Sequence, residues 1–273
     1  SERVYVCIFL SNQNVSSRVK TELKKKLLGD NPFWETARTV LYAVVIAVFV
    51  RTFAYEPFNI PSGSMYPSLM VGDYLFVSKF AYGYSKYSIP FGLDMFQGRI
   101  LRDPPQRGDI AVFKLPRDNK TDYIKRIVGL PRDRIQVKDG ILYINGEMVK
   151  RVRVEDYEYR NRYGDHIKYA QYEETLPGGR TYRVLDATPF RSQPGSLDNT
   201  PVYVVPDGHY FGMGDNRDNS QDSRVLRSVG YIPEENLVGR AEIIFFSTKG
   251  SARIWELWGW PFTIRYGRLG ELL

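Results

Sequence analysis

The sequence predicts a mainly β protein that follows a single membrane-spanning helix near the N-terminus. One long apolar run, residues 34–55, lies close to the start of the chain. The rest is a series of short segments that are rich in β-branched and aromatic residues and separated by turn-forming residues, a pattern typical of β structure. The 273 residues include 20 Tyr, 15 Phe and 16 Pro, which agrees with this fold class.

Residues 34–55 are long enough to cross a bilayer, because a transmembrane helix takes about 20 mostly apolar residues. Arg38 and Arg51 stand near the two ends of the run, where long basic side chains reach the headgroups. A cleaved signal peptide and a buried helix of a soluble protein are the alternatives, although residues 52–54 make a poor cleavage site. The Lys and Arg residues of the preceding segment, residues 1–33, place that end in the cytoplasm and the remainder of the chain across the membrane.

Residues 60–69, just after this run, read Ile-Pro-Ser-Gly-Ser-Met-Tyr-Pro-Ser-Leu. The two prolines restrict the backbone, and Gly63 allows it to turn or to approach a ligand closely. Such a rigid bend would present Ser64 and leave backbone N–H groups free, as an oxyanion hole requires. The alternative is a Pro/Ser/Gly linker between the helix and a soluble domain.

Strand-like segments follow in succession. They cover residues 74–80, 110–115, 121–130, 134–137, 141–144, 202–205, 209–213 and 238–246. Residues 151–200 are charged, Tyr-rich and poor in aliphatic residues, which suits an exposed β extension better than a core. We therefore expect a β core at residues 56–133 and 206–250, an inserted β extension at residues 134–205 and a Trp/Arg-rich C-terminal segment at residues 251–273.

Composition argues against several classes of function. The formal charge of +7 comes from scattered basic residues, so contact with anionic lipid explains it at least as well as nucleic acid. Cys7 is the only cysteine, which leaves no intrachain disulfide and no cysteine-based metal site. His166 and His209 are the only histidines, and they are isolated from each other. We expect no metal and no cofactor.

A serine nucleophile needs a neighbouring base, and a lysine can serve if it is neutral. The pKa of lysine, about 10.4, must then fall by about three units, which corresponds to about 4 kcal/mol. Lys125 lies in the middle of the apolar segment at residues 121–130, and burial there would lower its pKa. The alternative is a lysine on the solvent-facing side of a strand.

A second charged cluster occupies residues 214–224. This loop contains three aspartates and two arginines, namely Asp215, Asp218, Asp222, Arg217 and Arg224. A calcium loop does not fit, because Arg217 would occupy a ligand position. A solvated turn is one reading of the loop. The other is a buried network of ion pairs and hydrogen bonds that includes Ser220.

Together these stretches resemble bacterial type I signal peptidases of the S26 type, the membrane-anchored Ser/Lys endopeptidases that remove signal peptides from exported proteins. The resemblance spans about residues 34–250. Four stretches match in order and spacing: residues 61–67 (Pro-Ser-Gly-Ser-Met-Tyr-Pro), 108–113 (Gly-Asp-Ile-Ala-Val-Phe), 123–131 (Tyr-Ile-Lys-Arg-Ile-Val-Gly-Leu-Pro) and 214–224 (Gly-Asp-Asn-Arg-Asp-Asn-Ser-Gln-Asp-Ser-Arg).

The resemblance implies a role for each matching residue. Ser64 would be the nucleophile and Lys125 the general base. Ser62 would donate its hydroxyl to the oxyanion hole beside the Ser64 N–H, and Ser220 would orient the Lys125 amine by a hydrogen bond. A supporting network would comprise Arg126, Asp215, Asp222 and Arg224. Small substrate residues at −1 and −3, of the Ala-x-Ala type, would enter shallow pockets bordered by Phe58, Ile60, Met65, Leu69, Tyr123 and Ile124.

The resemblance also implies partners and a location. The substrates would be preproteins that carry signal peptides and bind as an added strand. The protein would be a monomer in contact with membrane lipid and without a nucleic-acid partner. It would be a single-pass protein of the bacterial inner membrane, with its catalytic β domain on the periplasmic side. Arg132 stands where the family usually has glycine, so the turn there is expected to differ.

The C-terminal segment carries a further hypothesis. Three tryptophans alternate with three arginines there: Trp255, Trp258, Trp260, Arg253, Arg265 and Arg268. Such a composition suits a membrane interface, where it would hold the catalytic face against the bilayer. The alternative is a set of ordinary core aromatics under the β domain.

Two other functions compete with the peptidase. A self-cleaving repressor would share the Ser/Lys pair, but it needs a DNA-binding helix-turn-helix where this chain has an apolar run. A membrane-tethered β module that binds envelope partners would explain the anchor and the extension. It would not explain why Ser64, Lys125 and Ser220 occur together.

Overall fold

The computed structural model describes residues 32–88, 98–160, 166–186, 197–249 and 260–273. The chain divides into two compact units, Ser1–Arg51 and Thr52–Leu273. The described part of the first unit belongs to a helix, and the second contains the β structure.

Helix α1 spans Pro32–Phe53, which is 22 residues. The part from Phe33 to Phe53 is long and apolar enough to cross a membrane, and none of it is buried within the protein. A helix of this length extends about 33 Å, close to the thickness of the hydrocarbon core. The large apolar side chains along it are exposed, as expected for a surface that lipid covers.

Fifteen strands follow α1 in the described residues. They are β1 (Tyr55–Asn59), β2 (Asp73–Ser78), β3 (Ile110–Lys114), β4 (Asp122–Gly129), β5 (Arg134–Lys138), β6 (Ile141–Ile144), β7 (Glu147–Met148), β8 (Lys150–Arg153), β9 (Tyr157–Arg160), β10 (His166–Thr175), β11 (Thr181–Asp186), β12 (Tyr203–Val204), β13 (His209–Met213), β14 (Ile232–Pro233) and β15 (Leu237–Ser247). A short helix, α2 (Trp260–Thr263), lies near the C-terminus. The predicted mainly β fold class is confirmed.

Seven strands form the main sheet in the order β1-β2-β15-β3-β4-β13-β14, with antiparallel neighbours throughout. Alternate residues of a strand face opposite sides of the sheet. In β4, Ile124 packs with one hydrophobic cluster and Ile127 with another, so Lys125 shares its side of the sheet with Ile127. Register pairs Lys125 with the small Ala111 on β3.

Two smaller sheets cover the region expected to be an inserted extension. One has the order β12-β5-β6-β7, and the other has the order β11-β10-β8, with β9 also paired to β10. The expectation that residues 151–200 form an exposed β extension and not core is wrong for their described later part. Leu176 and Val184 are buried in one cluster with Phe211 and Met213 of the main sheet. The smaller sheets therefore share a core with the strands that carry the candidate site.

Candidate active site

The loop between β1 and β2 presents Ser64. Its ends are tied together, because Ile60 N–H donates to the Asp73 carbonyl at 2.8 Å and Gly72 N–H donates to the Ile60 carbonyl at 3.0 Å. Met65 and Leu69 are fully buried and anchor the loop in the core. The Ser64 N–H donates to no group in the described part of the chain. A free donor beside a serine hydroxyl is thus present.

Lys125 reaches this serine from β4. Its Nζ donates to Ser64 Oγ at 2.8 Å and to the Ile124 carbonyl at 2.9 Å. Only 3% of Lys125 is exposed, and its stem passes Gly212 of β13, where an added Cβ would lie 3.0 Å from the Lys125 Cβ. Burial lowers the pKa of Lys125 to about 8, although the carboxylates of Asp222 and Asp215 oppose the shift. A lysine with this pKa is neutral often enough near neutral pH to accept a proton.

Ser62 lies on the solvent side of the same loop. Its hydroxyl oxygen is 3.5 Å from that of Ser64, and its side chain is exposed. The Ser62 hydroxyl is therefore next to the hydroxyl of Ser64.

The expected hydrogen bond from Ser220 to Lys125 is absent from the structure. The Ser220 Oγ is buried and has no hydrogen-bond partner among the described residues. The Lys125 amine instead donates to the carbonyl of its own neighbour, Ile124. Ser220 still lies beside the site, because an added Cβ on Gly214 would be 2.1 Å from Ser220 Oγ and 2.6 Å from the Ser64 carbonyl oxygen.

Two buried ion pairs flank the Ser64–Lys125 pair. Arg126 donates to both carboxylate oxygens of Asp215, from Nε at 2.9 Å and from Nη2 at 2.7 Å. Arg224 binds Asp222 in the same two-pronged way, at 2.9 Å and 2.8 Å. All four side chains are almost completely buried. The loop at residues 214–224 is thus a buried network and not a solvated turn.

Two groups of residues that support the site have no specific role in the sequence-based predictions. Asn216 holds the Ser64 loop, since its backbone N–H donates to the Ser64 carbonyl and its side-chain amide to the Gly63 carbonyl, both at 3.1 Å. Glu174 of β10 binds Arg217 and Tyr182, and all three are buried. The many charged residues in the loop at residues 214–224 indicated that Arg217 could belong to a buried network. Nothing distinguished Glu174 from the other charged residues of its segment.

The six residues expected to border the substrate pockets fall into two groups. Ile60, Met65 and Leu69 are buried in one hydrophobic cluster, and Phe58 and Ile124 pack against it. Tyr123 belongs to the cluster on the other side of the sheet, where its ring lies 6.2 Å from that of Phe113. The Tyr123 ring is also 5.4 Å from the Lys125 Nζ.

The described part of the C-terminal segment packs on the β domain. Arg265 and Arg268 both bind Asp73, and Arg268 also donates to the Ser68 carbonyl at 2.8 Å. The Trp260 ring lies 4.9 Å from that of Phe246. These contacts favour the alternative of packing under the β domain. Trp255, Trp258 and Arg253 lie outside the described residues.

Arg132 keeps the turn that a glycine would favour. Its φ of +72° lies in the left-handed region, and its guanidinium pairs with the exposed Asp207 at 2.7 Å. The described residues contain no cluster of His, Cys, Asp and Glu that could hold a metal ion.

Comparison with known proteins places the chain in a family. Residues 33–246 match the family model described as signal peptidase, peptidase S26. The signal peptidase I of Rickettsia akari is 44% identical over 212 residues, which is 76% of this chain and 77% of that protein. The signal peptidase I of Rickettsia prowazekii is also 44% identical, over 76% of this chain and 78% of that protein.

A crystal structure of a signal peptidase I from Enterococcus faecalis also aligns with this chain. The alignment has 26% identity and covers 50% of this chain and 97% of that one, with a TM-score of 0.29. The matched sequence of the family model extends from the apolar helix through the Ser64 loop, β4 and residues 214–224 to β15. On that match and on the two rickettsial relatives, the chain belongs to the signal peptidase family, peptidase S26, and is a peptidase that removes signal peptides.

Proposed function

We propose that the protein is a membrane-anchored serine endopeptidase in which Ser64 is the nucleophile and Lys125 is the general base. The observation that carries this proposal is the 2.8 Å contact between Lys125 Nζ and Ser64 Oγ in a buried setting. Among the described residues the Ser64 hydroxyl contacts Lys125 and Ser62 and no histidine, so the lysine is the base within reach.

The first half of the reaction forms an acyl-enzyme. Neutral Lys125 takes the hydroxyl proton of Ser64, and Oγ bonds to the carbonyl carbon of the residue at −1. The tetrahedral intermediate collapses when the C–N bond of the peptide breaks. The Lys125 ammonium gives its proton to the departing amine, which becomes the new N-terminus of the exported protein.

The second half releases the signal peptide. Lys125, neutral again, takes a proton from water, and the resulting hydroxide oxygen bonds to the acyl carbon. The Ser64 Oγ leaves and recovers its proton from Lys125. The Lys125 amine thus serves as base and acid in each half-reaction, as a histidine does in other serine proteases.

Negative charge on the carbonyl oxygen needs donors close to Ser64. The Ser64 N–H is free to donate to it, and the Ser62 hydroxyl lies beside it. Removal of one such donor typically costs a factor of about 10² to 10³ in kcat. Asn216 supports these donors indirectly because it holds the carbonyls of Gly63 and Ser64.

We propose that the apolar surface beside the Ser64 loop accepts only small side chains at −1 and −3. Cleavage would then follow sequences of the Ala-x-Ala type. Phe58, Ile60, Met65, Leu69 and Ile124 would form this surface, and Tyr123, on the other side of the sheet, would border the space near the Lys125 amine. Three of these, Ile60, Met65 and Leu69, are almost completely buried, so they would support the surface from beneath. A substrate bound as an added strand would present its residues at −1 and −3 to the same side.

The proposed cellular location rests on helix α1. We propose that α1 anchors the protein in the bacterial inner membrane, with its basic N-terminal flank in the cytoplasm and the β domain on the outer side. The exposed apolar side chains of α1 support a lipid contact. The protein would act as a monomer on preproteins, without a nucleic-acid partner.

The test is cleavage of a purified preprotein whose signal ends in Ala-x-Ala, by the full chain in detergent. We expect cleavage after the second Ala, and its loss in Ser64→Ala and in Lys125→Ala. Lys120→Ala, which alters an exposed lysine near the start of β4, is the matched control and keeps activity. Cleavage should also be lost when the alanine at −1 is replaced by leucine. An active Lys125→Ala variant would refute the assignment of the base.

A further inference from the structure

Glu174 is a buried carboxylate far from the nucleophile in sequence. It lies on β10 with 0% exposure, and Arg217 donates to both of its oxygens. The Tyr182 hydroxyl also donates to Glu174, at 2.8 Å, and Arg217 donates to that hydroxyl at 3.0 Å. A buried charge is tolerated only when it is paired and hydrogen-bonded. Glu174, Arg217 and Tyr182 meet this need by hydrogen bonds to one another.

This unit is connected to the Asp222–Arg224 ion pair. The backbone carbonyl of Arg217 accepts a hydrogen bond from Arg224 Nη2 at 2.6 Å. Arg224 in turn binds Asp222, whose carboxylate accepts the Gly214 N–H at 3.0 Å. Gly214 packs directly against the Ser64 carbonyl. A shift of Arg217 would therefore be passed to the backbone that touches the nucleophile.

A second connection reaches the Arg126–Asp215 ion pair. The Leu185 N–H of β11 donates to the Asp215 carbonyl at 2.8 Å. The guanidinium of Arg126 lies 4.3 Å from the centre of the Tyr182 ring. The small sheet that contains β10 and β11 thus contacts the Arg126–Asp215 ion pair directly and reaches the Asp222–Arg224 ion pair through Arg217.

We propose that Glu174 is a positioning residue for the reaction: by holding Arg217, it fixes residues 214–224 against Ser64 and Lys125. This inference rests on the proposed function of Ser64 and Lys125. It gives the inserted sheet a role in catalysis, because the sheet supplies the carboxylate that the buried Arg217 requires. Small displacements at a reacting centre are costly, since a shift of about 1 Å can lower a rate about a hundredfold.

The variant Glu174→Gln tests the proposal, because it keeps the shape of the side chain and removes its charge. Glu173→Gln is the matched control, since Glu173 is next in the strand, is half-buried and has no ion pair among the described residues. Both full-length proteins are assayed in detergent on the same preprotein across pH. Glu174→Gln is expected to lower kcat at least about tenfold and to leave KM within about twofold.

The pH profile separates positioning from loss of folded protein. Lys125 is faced by Asp215, Asp222 and Arg224. If residues 214–224 are held less tightly, water reaches Lys125 and the pKa of Lys125 rises. The increase of kcat with pH then occurs at higher pH. Partial unfolding alone would lower the whole profile without moving it. An unshifted profile in Glu174→Gln would overturn the proposal.

A double variant covers the case in which Glu174→Gln folds poorly. Arg217→Gln combined with Glu174→Gln leaves no unpaired buried charge, so its melting temperature should exceed that of either single variant. It should still show the shifted profile, because two amides do not restore the two-pronged contact. A double variant with the wild-type profile would also overturn the proposal. If Ser64→Ala remained active, the proposed function itself would fail, whatever Glu174→Gln did.

Discussion

The Lys125 amine and the Ser64 hydroxyl lie 2.8 Å apart although 61 positions separate them in the chain. Two different elements produce this contact. β4 directs Lys125 to one side of the main sheet, and the loop between β1 and β2 is folded back by buried Met65 and Leu69. The amine is also held by the Ile124 carbonyl, so its position does not depend on Ser64 alone.

The first prediction concerns the pH dependence of cleavage. The base must be neutral, and burial lowers the pKa of Lys125 to about 8. The ratio kcat/KM, which reports the pKa of the free enzyme, should therefore rise about tenfold for each pH unit below about 8 and become constant above it. A double variant, His166→Gln with His209→Gln, should show the same profile. A rise centred near pH 6.5 that vanished in this variant would contradict a lysine base.

The second prediction concerns the free energy of unfolding that the protein loses because Lys125 is buried. The pKa falls from 10.5 in the unfolded chain to about 8 in the fold. Between these values the unfolded chain holds a proton that the folded protein has released, so stability rises with pH in that window. Below pH 8 the folded protein carries a constant penalty of about 3 kcal/mol.

Lys125→Met removes this penalty with a side chain of similar shape. We expect the inactive variant to have a higher free energy of unfolding at pH 7, by up to about 3 kcal/mol. The gain should shrink as the pH rises from 8 to 10.5 and vanish above 10.5, where the lysine becomes neutral in both states. Urea unfolding followed by tryptophan fluorescence at these pH values measures the difference. A variant less stable than the wild type at pH 7 would show that burial of the charged Lys125 amine does not lower the free energy of unfolding.

The third prediction concerns Arg132, whose φ of +72° is unfavourable for a residue with a Cβ. Arg132→Gly should raise the free energy of unfolding by about 1 kcal/mol, because glycine adopts the left-handed region without a steric penalty. The ion pair with Asp207 is exposed and contributes little. Arg132→Ala is the control: it loses the ion pair but keeps the Cβ, so we expect no gain in the same urea titration.

Local sequence patterns predicted five of the seven strands of the main sheet, and β1 and β14 were not predicted. The segments expected at residues 110–115 and 121–130 correspond to β3 (Ile110–Lys114) and β4 (Asp122–Gly129). Alternation of apolar residues along a strand indicates which side chains share a face. It does not indicate which loop covers that face, so the pairing of Lys125 with Ser64 came from the family resemblance and not from the pattern.

The support of the site could not be predicted in the same way. Glu174 and Arg217 are 43 positions apart, and Asp73 and Arg268 are 195 apart. Each of these acids lies in a segment where charged residues usually face solvent. The small sheet buries Glu174, and the C-terminal segment together with Ser247 of β15 buries Asp73. The direction of the Ser220 hydroxyl likewise depends on close packing beside Gly214, which no pattern reports.

The last prediction uses the crowding at Gly214. An added Cβ there would lie 2.1 Å from the Ser220 Oγ and 2.6 Å from the Ser64 carbonyl oxygen, distances too short for any side chain. The φ of Gly214 is not in the left-handed region, so the effect of a substitution is purely steric. Gly214→Ala must push the Ser64 backbone away from Asn216 and Lys125. We expect kcat for preprotein cleavage to fall at least about a hundredfold.

Gly267→Ala provides the matched control for this loss. Gly267 has open space around its added Cβ and no positive φ, so the same chemical change should leave kcat within about twofold. Because the Gly214 N–H already binds Asp222, the backbone there has little freedom to yield, and the displacement should fall on the Ser64 loop. If Gly214→Ala kept wild-type kcat, displacement of the Ser64 carbonyl would have no effect on catalysis. The positioning of the nucleophile by residues 214–224 would then be refuted.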